Sequence, residues 1–152
     1  MDEIVVRSLA KWPNVPAVYG WLDLDRRGNW LIKGERIGNV ALREFIARNY
    51  AADGEGRWFF QNGPQRVYVR LAYTPLVVHY EGDALVDHRG KRFTPSAEFQ
   101  DDEGSVLIAG EGSIALLDDR DLERYADRAE ELPRIVRSEV ARRFAFVPNP
   151  MA

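Results

Sequence analysis

Few residues in this chain could do chemistry. Histidine occurs twice, at His79 and His88, and cysteine is absent. A zinc or copper centre would then need carboxylates to complete it, and neither HxH nor HxxxH spacing is present. Both histidines therefore read as ordinary packed or solvated side chains. The lack of cysteine also removes a thiol nucleophile and a disulfide scaffold. Ser8, Ser96, Ser105, Ser113 and Ser138 sit in no GxSxG or SxxK context, and Gly110-Glu111-Gly112 joins two expected strands instead of opening a helix. Acyl-enzyme chemistry and dinucleotide binding are therefore not indicated. The acidic run Asp118, Asp119, Asp121 and Glu123 has the DxD spacing that can hold magnesium beside a substrate phosphate. It also falls where a helix is expected to begin, and carboxylates there cap free amides and complement the macrodipole by about 0.3 to 1 kcal/mol each when exposed. The cap is the preferred reading. No catalytic residue, metal ligand or cofactor is expected.

The strongest positive pattern is the hairpin from Arg57 to Leu71, RWFFQNGPQRVYVRL. Alternation in its second strand sends Val67, Val69 and Leu71 to one face and Arg66, Tyr68 and Arg70 to the other. If Trp58 and Phe60 join the aliphatic face, then Arg57, Phe59, Arg66, Tyr68 and Arg70 form a basic aromatic sheet surface. Rings that stack and guanidinium groups that pair with anions suit anionic ligands or single-stranded nucleic acid. The nucleic-acid version is the weaker one, because RVYVRL lacks the RNA-recognition signature and the chain carries net charge -3. A second candidate contact is the loop holding Trp12, Pro13, Pro16 and Trp21. Its prolines restrict the backbone, and its tryptophans are large anchors that lose little entropy on docking.

These residues need elements to position them, and period-two alternation in short runs bounded by Gly, Asn, Asp and Pro dominates the first 115 residues. Strands are expected at Ile4 to Leu9, Val18 to Leu24, Trp30 to Lys33, Arg57 to Gln61, Arg66 to Ala72, Leu76 to Tyr80, Ala84 to Asp87, Ser105 to Ala109 and Ser113 to Leu116. The turns at Asp25, Asp87 and Asp101 share the pattern DxxG. The Asp accepts from amides ahead of it, and the Gly takes the positive φ of a type I turn with a G1 bulge. The Asp25 and Asp101 turns agree further along, in DxxGxxLIxGE at an offset of 76. Shared turn chemistry accounts for that match, with duplication as the alternative. A helix is expected over Val40 to Tyr50, capped by Asn39. A second should open at Asp118 or Asp119 with Leu122, Tyr125, Ala126, Ala129 and Leu132 buried, and a third should begin at Pro133.

The fold class that follows is α+β, with a mainly antiparallel, bent sheet or partial barrel of about eight strands and two to three helices packed on it. One domain over 1–146 and a flexible tail over 147–152 suit a chain of 152 residues. Hydrophobic residues at 45% and charged residues at 30% exclude disorder and a membrane span. Residues 1–75 hold eleven Lys and Arg against eight Asp and Glu, so the acidic excess lies in the second half. The start, MDEIVVRSLAKW, has no secretory character, and a reducing cytoplasm is the expected compartment.

The stretches Ser8 to Pro16, Tyr19 to Leu22, Arg27 to Glu35, Trp58 to Val69 and the DDRDL stretch at 118 to 122 resemble a family of short proteobacterial proteins of unknown function. The resemblance implies a bacterial, cytoplasmic origin and brings no activity, cofactor or catalytic residue. The functional expectation is a non-enzymatic binding or interaction module whose partner is a protein or an anionic ligand, either as monomer or homodimer. The alternatives are a magnesium-dependent enzyme acting on a small phosphorylated substrate, with Asp118, Asp119 and Asp121 on the metal, and a structural homodimer joined through strand edges.

Overall fold

The computed structural model describes residues 12–152, so the strand expected over Ile4 to Leu9 lies outside the described residues. The chain forms two compact units. The first holds the described residues up to Asp25 with Asn29–Ala72 and Val147–Ala152; the second holds Arg26–Gly28 and Tyr73–Phe146. Each is built on one open six-stranded sheet. The α+β class stands, but the strands are shared between two sheets where one of about eight was expected.

The first unit contains β1 (Ala17–Leu24), β2 (Trp30–Ile32), β3 (Glu35–Arg36), α1 (Val40–Arg48), β4 (Tyr50–Ala52), β5 (Trp58–Asn62) and β6 (Gln65–Leu71). Its order is β3-β2-β1-β6-β5-β4, antiparallel except for β1 against β6. That pairing is parallel because β1 and β6 are distant in sequence, and the intervening chain with its helix is long enough to return in the same direction. Alternation in the hairpin is as expected: Phe60 faces Val67 in register and both are fully buried, while Phe59 pairs with Tyr68. Helix α1 begins at Asn39, whose Oδ1 accepts from the Leu42 amide at 2.8 Å. It buries Leu42 and Ile46, and Phe45 meets Phe60 edge-on at 5.5 Å. It stops at Arg48, earlier than expected, because Tyr50 already pairs with Phe60 as the start of β4. Residues 147–152, expected as a flexible tail, carry backbone hydrogen bonds into this unit. The Val147 amide donates to the Gly56 carbonyl at 2.9 Å, and the Leu71 amide donates to the Pro148 carbonyl at 2.8 Å.

The second unit contains β7 (Leu76–Glu81), β8 (Ala84–Asp87), β9 (Ala97–Asp101), β10 (Val106–Gly110), β11 (Ser113–Leu117), β12 (Arg134–Ile135) and α2 (Arg137–Arg143). Its order is β12-β9-β10-β11-β7-β8, with β7/β11 and β9/β12 parallel. Its core includes Val78, Leu107, Ile108, Ile114 and Leu117. Thr74 ties two of its strands together: its buried hydroxyl donates to the Leu76 carbonyl at 2.6 Å and accepts from the Leu116 amide at 2.9 Å.

Two expectations in this unit are corrected. The amphipathic helix after Asp118 is replaced by 3-10 segments at Asp119–Tyr125 and Ala129–Glu131, and Tyr125 alone of the expected stripe is buried. Two of the five stripe residues, Ala126 and Ala129, are alanines, which add little area to an α-helical face. Leu122 and Tyr125, three apart, line up when the chain tightens to three residues per turn. Pro133 opens no helix either. Its carbonyl accepts from the Gln100 amide at 2.9 Å, and the chain pairs as β12 before α2 starts at Arg137.

The DxxG turns behave alike, and a fourth, Asp53-Gly54-Glu55-Gly56, joins the three singled out above. In the Asp53, Asp87 and Asp101 turns the Gly amide donates to the Asp carbonyl, and Oδ1 accepts from the amides two and four residues ahead. At Asp25 the amide four ahead, that of Asn29, donates to the same oxygen at 2.8 Å. One short sequence thus closes four bends by local hydrogen bonding, which is why shared residues at the 76 offset follow from turn chemistry.

Candidate functional site

The sheet surface expected for ligands is assembled in the first unit, with its cations largely occupied. Arg70 grips Asp23 through both fork nitrogens, at 2.6 and 3.0 Å. Arg57 holds Asp53 at 2.8 Å and lies 4.8 Å over the Tyr68 ring. Arg66 has no carboxylate within 4 Å among the described residues, and its guanidinium sits 4.0 Å over Phe59. Phe59 and Tyr68 are 7% and 5% exposed, so their faces are not open for stacking. Tyr19 is stacked on Tyr68 at 4.8 Å.

The tryptophan loop is pinned, as a rigid contact would require. The Gln65 side-chain amide donates to the carbonyls of Pro13 and Val15 at 2.7 Å each, and the Arg66 amide donates to that of Pro16 at 2.9 Å. Trp12 packs against Phe60 at 6.2 Å and is 6% exposed. Trp12 and Trp21 line a cleft of about 360 Å³ together with Ile37, Leu42, Lys33 and Arg36. The β2–β3 turn positions Lys33. Lys33 and Gly34 both take positive φ, +52° and +83°, the pattern of a tight two-residue hairpin. That places the Lys33 ammonium 4.0 Å over the Trp21 ring, while its amide donates to the Trp21 carbonyl at 3.0 Å. Neither Lys33 nor Arg36 has a carboxylate within 4 Å among the described residues, although Glu35 also lines the cleft. The Trp12 indole N–H is buried and has no acceptor among the described residues.

In the second unit a cleft of about 460 Å³ brings both histidines together with Arg27, Asp118, Arg120 and Asp121. Each group is engaged. Asp118 caps the 3-10 segment through the Arg120 amide at 2.9 Å and pairs with the Arg120 guanidinium at 2.6 Å. Asp119 pairs with Arg27 at 2.9 Å, and Asp121 accepts from the Tyr80 amide at 2.8 Å. His88 Nδ1 accepts from the Val77 amide at 3.2 Å, and His79 Nε2 lies 3.3 Å from Glu81. Gly28 abuts this group: a Cβ there would stand 2.6 Å from the His88 Cβ, and its φ is +82°. Among the described residues no set of three or more His, Asp or Glu side chains is arranged to hold a metal ion, and no helix is long and apolar enough to cross a membrane.

Comparison with known proteins bears on these sites through the family alone. DUF2944, described as "Protein of unknown function (DUF2946)", matches residues 1–149. The chain belongs to this family. No curated protein matches this DUF2944 chain. Among solved structures it is similar to a DUF1285 family protein from Silicibacter pomeroyi DSS-3, with TM-score 0.57 and 18% identity over 84% of each chain. It is also similar to one from Shewanella baltica OS155, with TM-score 0.48 and 15% identity over 70% of this chain and 90% of that one. The first likeness supports the α+β fold and assigns no chemistry.

Sequence reading missed Lys33 and Arg36, whose signal was present in the Lys33-Gly34 dipeptide as a tight-turn marker. It also missed the polar chain from Tyr80 to Tyr125 to Glu98, because those residues are far apart in sequence. The two hydroxyls are 2.6 Å apart, Tyr125 donates to Glu98, and Arg128 pairs with Glu98 at 2.9 Å.

These networks set the pH range of stability. Burial raises the carboxyl pKa values of Asp53, Glu98 and Asp118, but backbone amides, Tyr125 and the guanidinium groups of Arg57, Arg128 and Arg120 outweigh it, so all three lie below their ordinary values. Depressed carboxyls contribute stability above the unfolded pKa of about 4, and this is lost as pH falls through the folded values. Burial first, and then carboxylate neighbours, push the Tyr73 and Tyr125 phenols up, so their contribution is lost as pH rises above about 10. The thermal midpoint is therefore expected to be flat between about pH 5 and 9 and to fall on both sides. Tyr125→Phe should flatten the alkaline limb, and thermal melts across that range check it.

Proposed function

We propose that this protein is a non-enzymatic binding module for an anionic ligand, seated in the first unit at the cleft lined by Trp12 and Trp21. The observation carrying this reading is the pair Lys33 and Arg36, two cations on an apolar cleft without a carboxylate partner among the described residues. The sheet face of Arg57, Phe59, Arg66, Tyr68 and Arg70 serves it less well. Two of its three cations are already paired with Asp23 and Asp53, which leaves Arg66 alone for an anion, and both rings are covered. In the cleft no carboxylate need be displaced from Lys33 or Arg36, and their attraction, partly offset by Glu35 on the same wall, should weaken with added salt.

The test is a titration with succinate and inorganic phosphate, read from amide shifts across residues 30–42. Both should move those amides at low salt. Lys33→Glu combined with Arg36→Glu should weaken binding by at least about tenfold, because two attractions become repulsions. The thermal midpoint should change little, both side chains being exposed. Binding undiminished in that double variant would refute the proposal, as would amides indifferent to both anions.

A further inference from the structure

Resting on that anion-binding reading, we infer that the ligand is an α-amino acid with an apolar side chain, whose carboxylate bridges Lys33 and Arg36 while Glu35 takes its ammonium. Three features of the cleft define this chemistry. The first is the sign of its charges. Lys33, Glu35 and Arg36 all line the cleft, and none of them has an oppositely charged partner within 4 Å among the described residues. A simple carboxylate would satisfy the two cations and leave Glu35 repelling it. A dianion or a phosphate would meet the same repulsion with more charge. A zwitterion turns the repulsion into an attraction: its two carboxylate oxygens meet two cations, and its ammonium meets the remaining carboxylate.

The second feature is how closely those charges are grouped. The acid and the amine of an α-amino acid stand on the same carbon, so the groups that recognise them must be neighbours too. Glu35 and Arg36 are consecutive in β3, and the tight turn at Lys33 and Gly34 joins Lys33 to the same edge of the sheet. The Lys33 ammonium is held there on the Trp21 ring at 4.0 Å.

The third feature is the rest of the wall. Trp21, Ile32, Ile37 and Leu42 give an apolar surface against which an aliphatic side chain loses its contact with water. A cleft of about 360 Å³ lies toward the small end of ligand sites and suits one amino acid better than a nucleotide.

The experiment is calorimetry at low salt on the full chain, with L-leucine, glycine, isocaproate and isoamylamine. Isocaproate is leucine without its amine, and isoamylamine is leucine without its acid. Leucine should bind about fivefold more tightly than isocaproate, through Glu35, and about tenfold more tightly than glycine, through the apolar wall. Isoamylamine, which brings a cation to two cations, should not bind. Glu35→Gln should weaken leucine about threefold and tighten isocaproate about as much, reversing their order. A merely structural role for Glu35 would move both ligands in one direction. Leucine binding no more tightly than isocaproate would overturn the inference, as would a Glu35→Gln protein in which the two shift together. Either result leaves the anion reading standing if succinate and phosphate still respond to Lys33 and Arg36. Silence from every anion removes both.

Discussion

Replacing Asp101 with alanine is expected to destabilise the protein by about 3 kcal/mol, while Asp101→Asn costs about 1 kcal/mol. Asp101 is 1% exposed, and its two oxygens do different work. Oδ2 accepts from the Tyr73 hydroxyl at 2.7 Å, and Oδ1 accepts from the amides of Glu103 and Ser105 at 2.9 and 2.8 Å. Alanine leaves a buried phenol without its acceptor and opens the β9–β10 bend. Asparagine keeps an oxygen for the amides, and its NH2 can donate to the Tyr73 oxygen, so most of the network survives. Urea unfolding followed by far-ultraviolet circular dichroism measures both. Equal losses for the two variants would show that the charge, and not the hydrogen-bond pattern, matters at this position.

Gly110→Ala should cost a similar amount, about 3 kcal/mol, for a steric reason. A Cβ on Gly110 would stand 2.2 Å from the Thr94 carbonyl oxygen and 2.9 Å from the Phe93 ring. The oxygen belongs to the backbone and cannot rotate away, so β10 or the 93–94 segment must move. Gly38→Ala is the control. Nothing lies within 4 Å of its Cβ position, and its φ is not in the left-handed region. That substitution should be neutral, or stabilising by up to about 1 kcal/mol through the unfolded chain. A Gly110→Ala protein as stable as wild type would mean that β10 has room the packing does not show.

Particular residues mark how much could be read in advance. The bends at Asp25, Asp87 and Asp101, the Asn39 cap of α1 and the two faces of the hairpin at residues 57–71 follow from interactions within a few positions along the chain, and the structure holds them as expected. The neutralisation of Arg70 by Asp23 could not be read, because it arises from the parallel pairing of β1 with β6 across 47 residues. The neutralisation of Arg57 by Asp53 was legible in principle, being an i,i+4 pair within an unrecognised DxxG turn. The long helix after Asp118 failed for the opposite reason: periodicity was present, but two of its five stripe positions are alanines, and Leu122 and Tyr125, three apart, align as well in a 3-10 segment.

Sequence alone determined the α+β class, the turns and caps and the alternating faces, because each of these closes its hydrogen bonds or sorts its side chains among near neighbours. Tertiary structure decided the split into two sheets, the three parallel pairings and the meeting of Trp12, Trp21, Lys33 and Arg36 on one cleft. Contacts between distant segments depend on which strand edges find each other, and an edge presents the same amides and carbonyls to every candidate partner, so the choice rests on how the whole core packs.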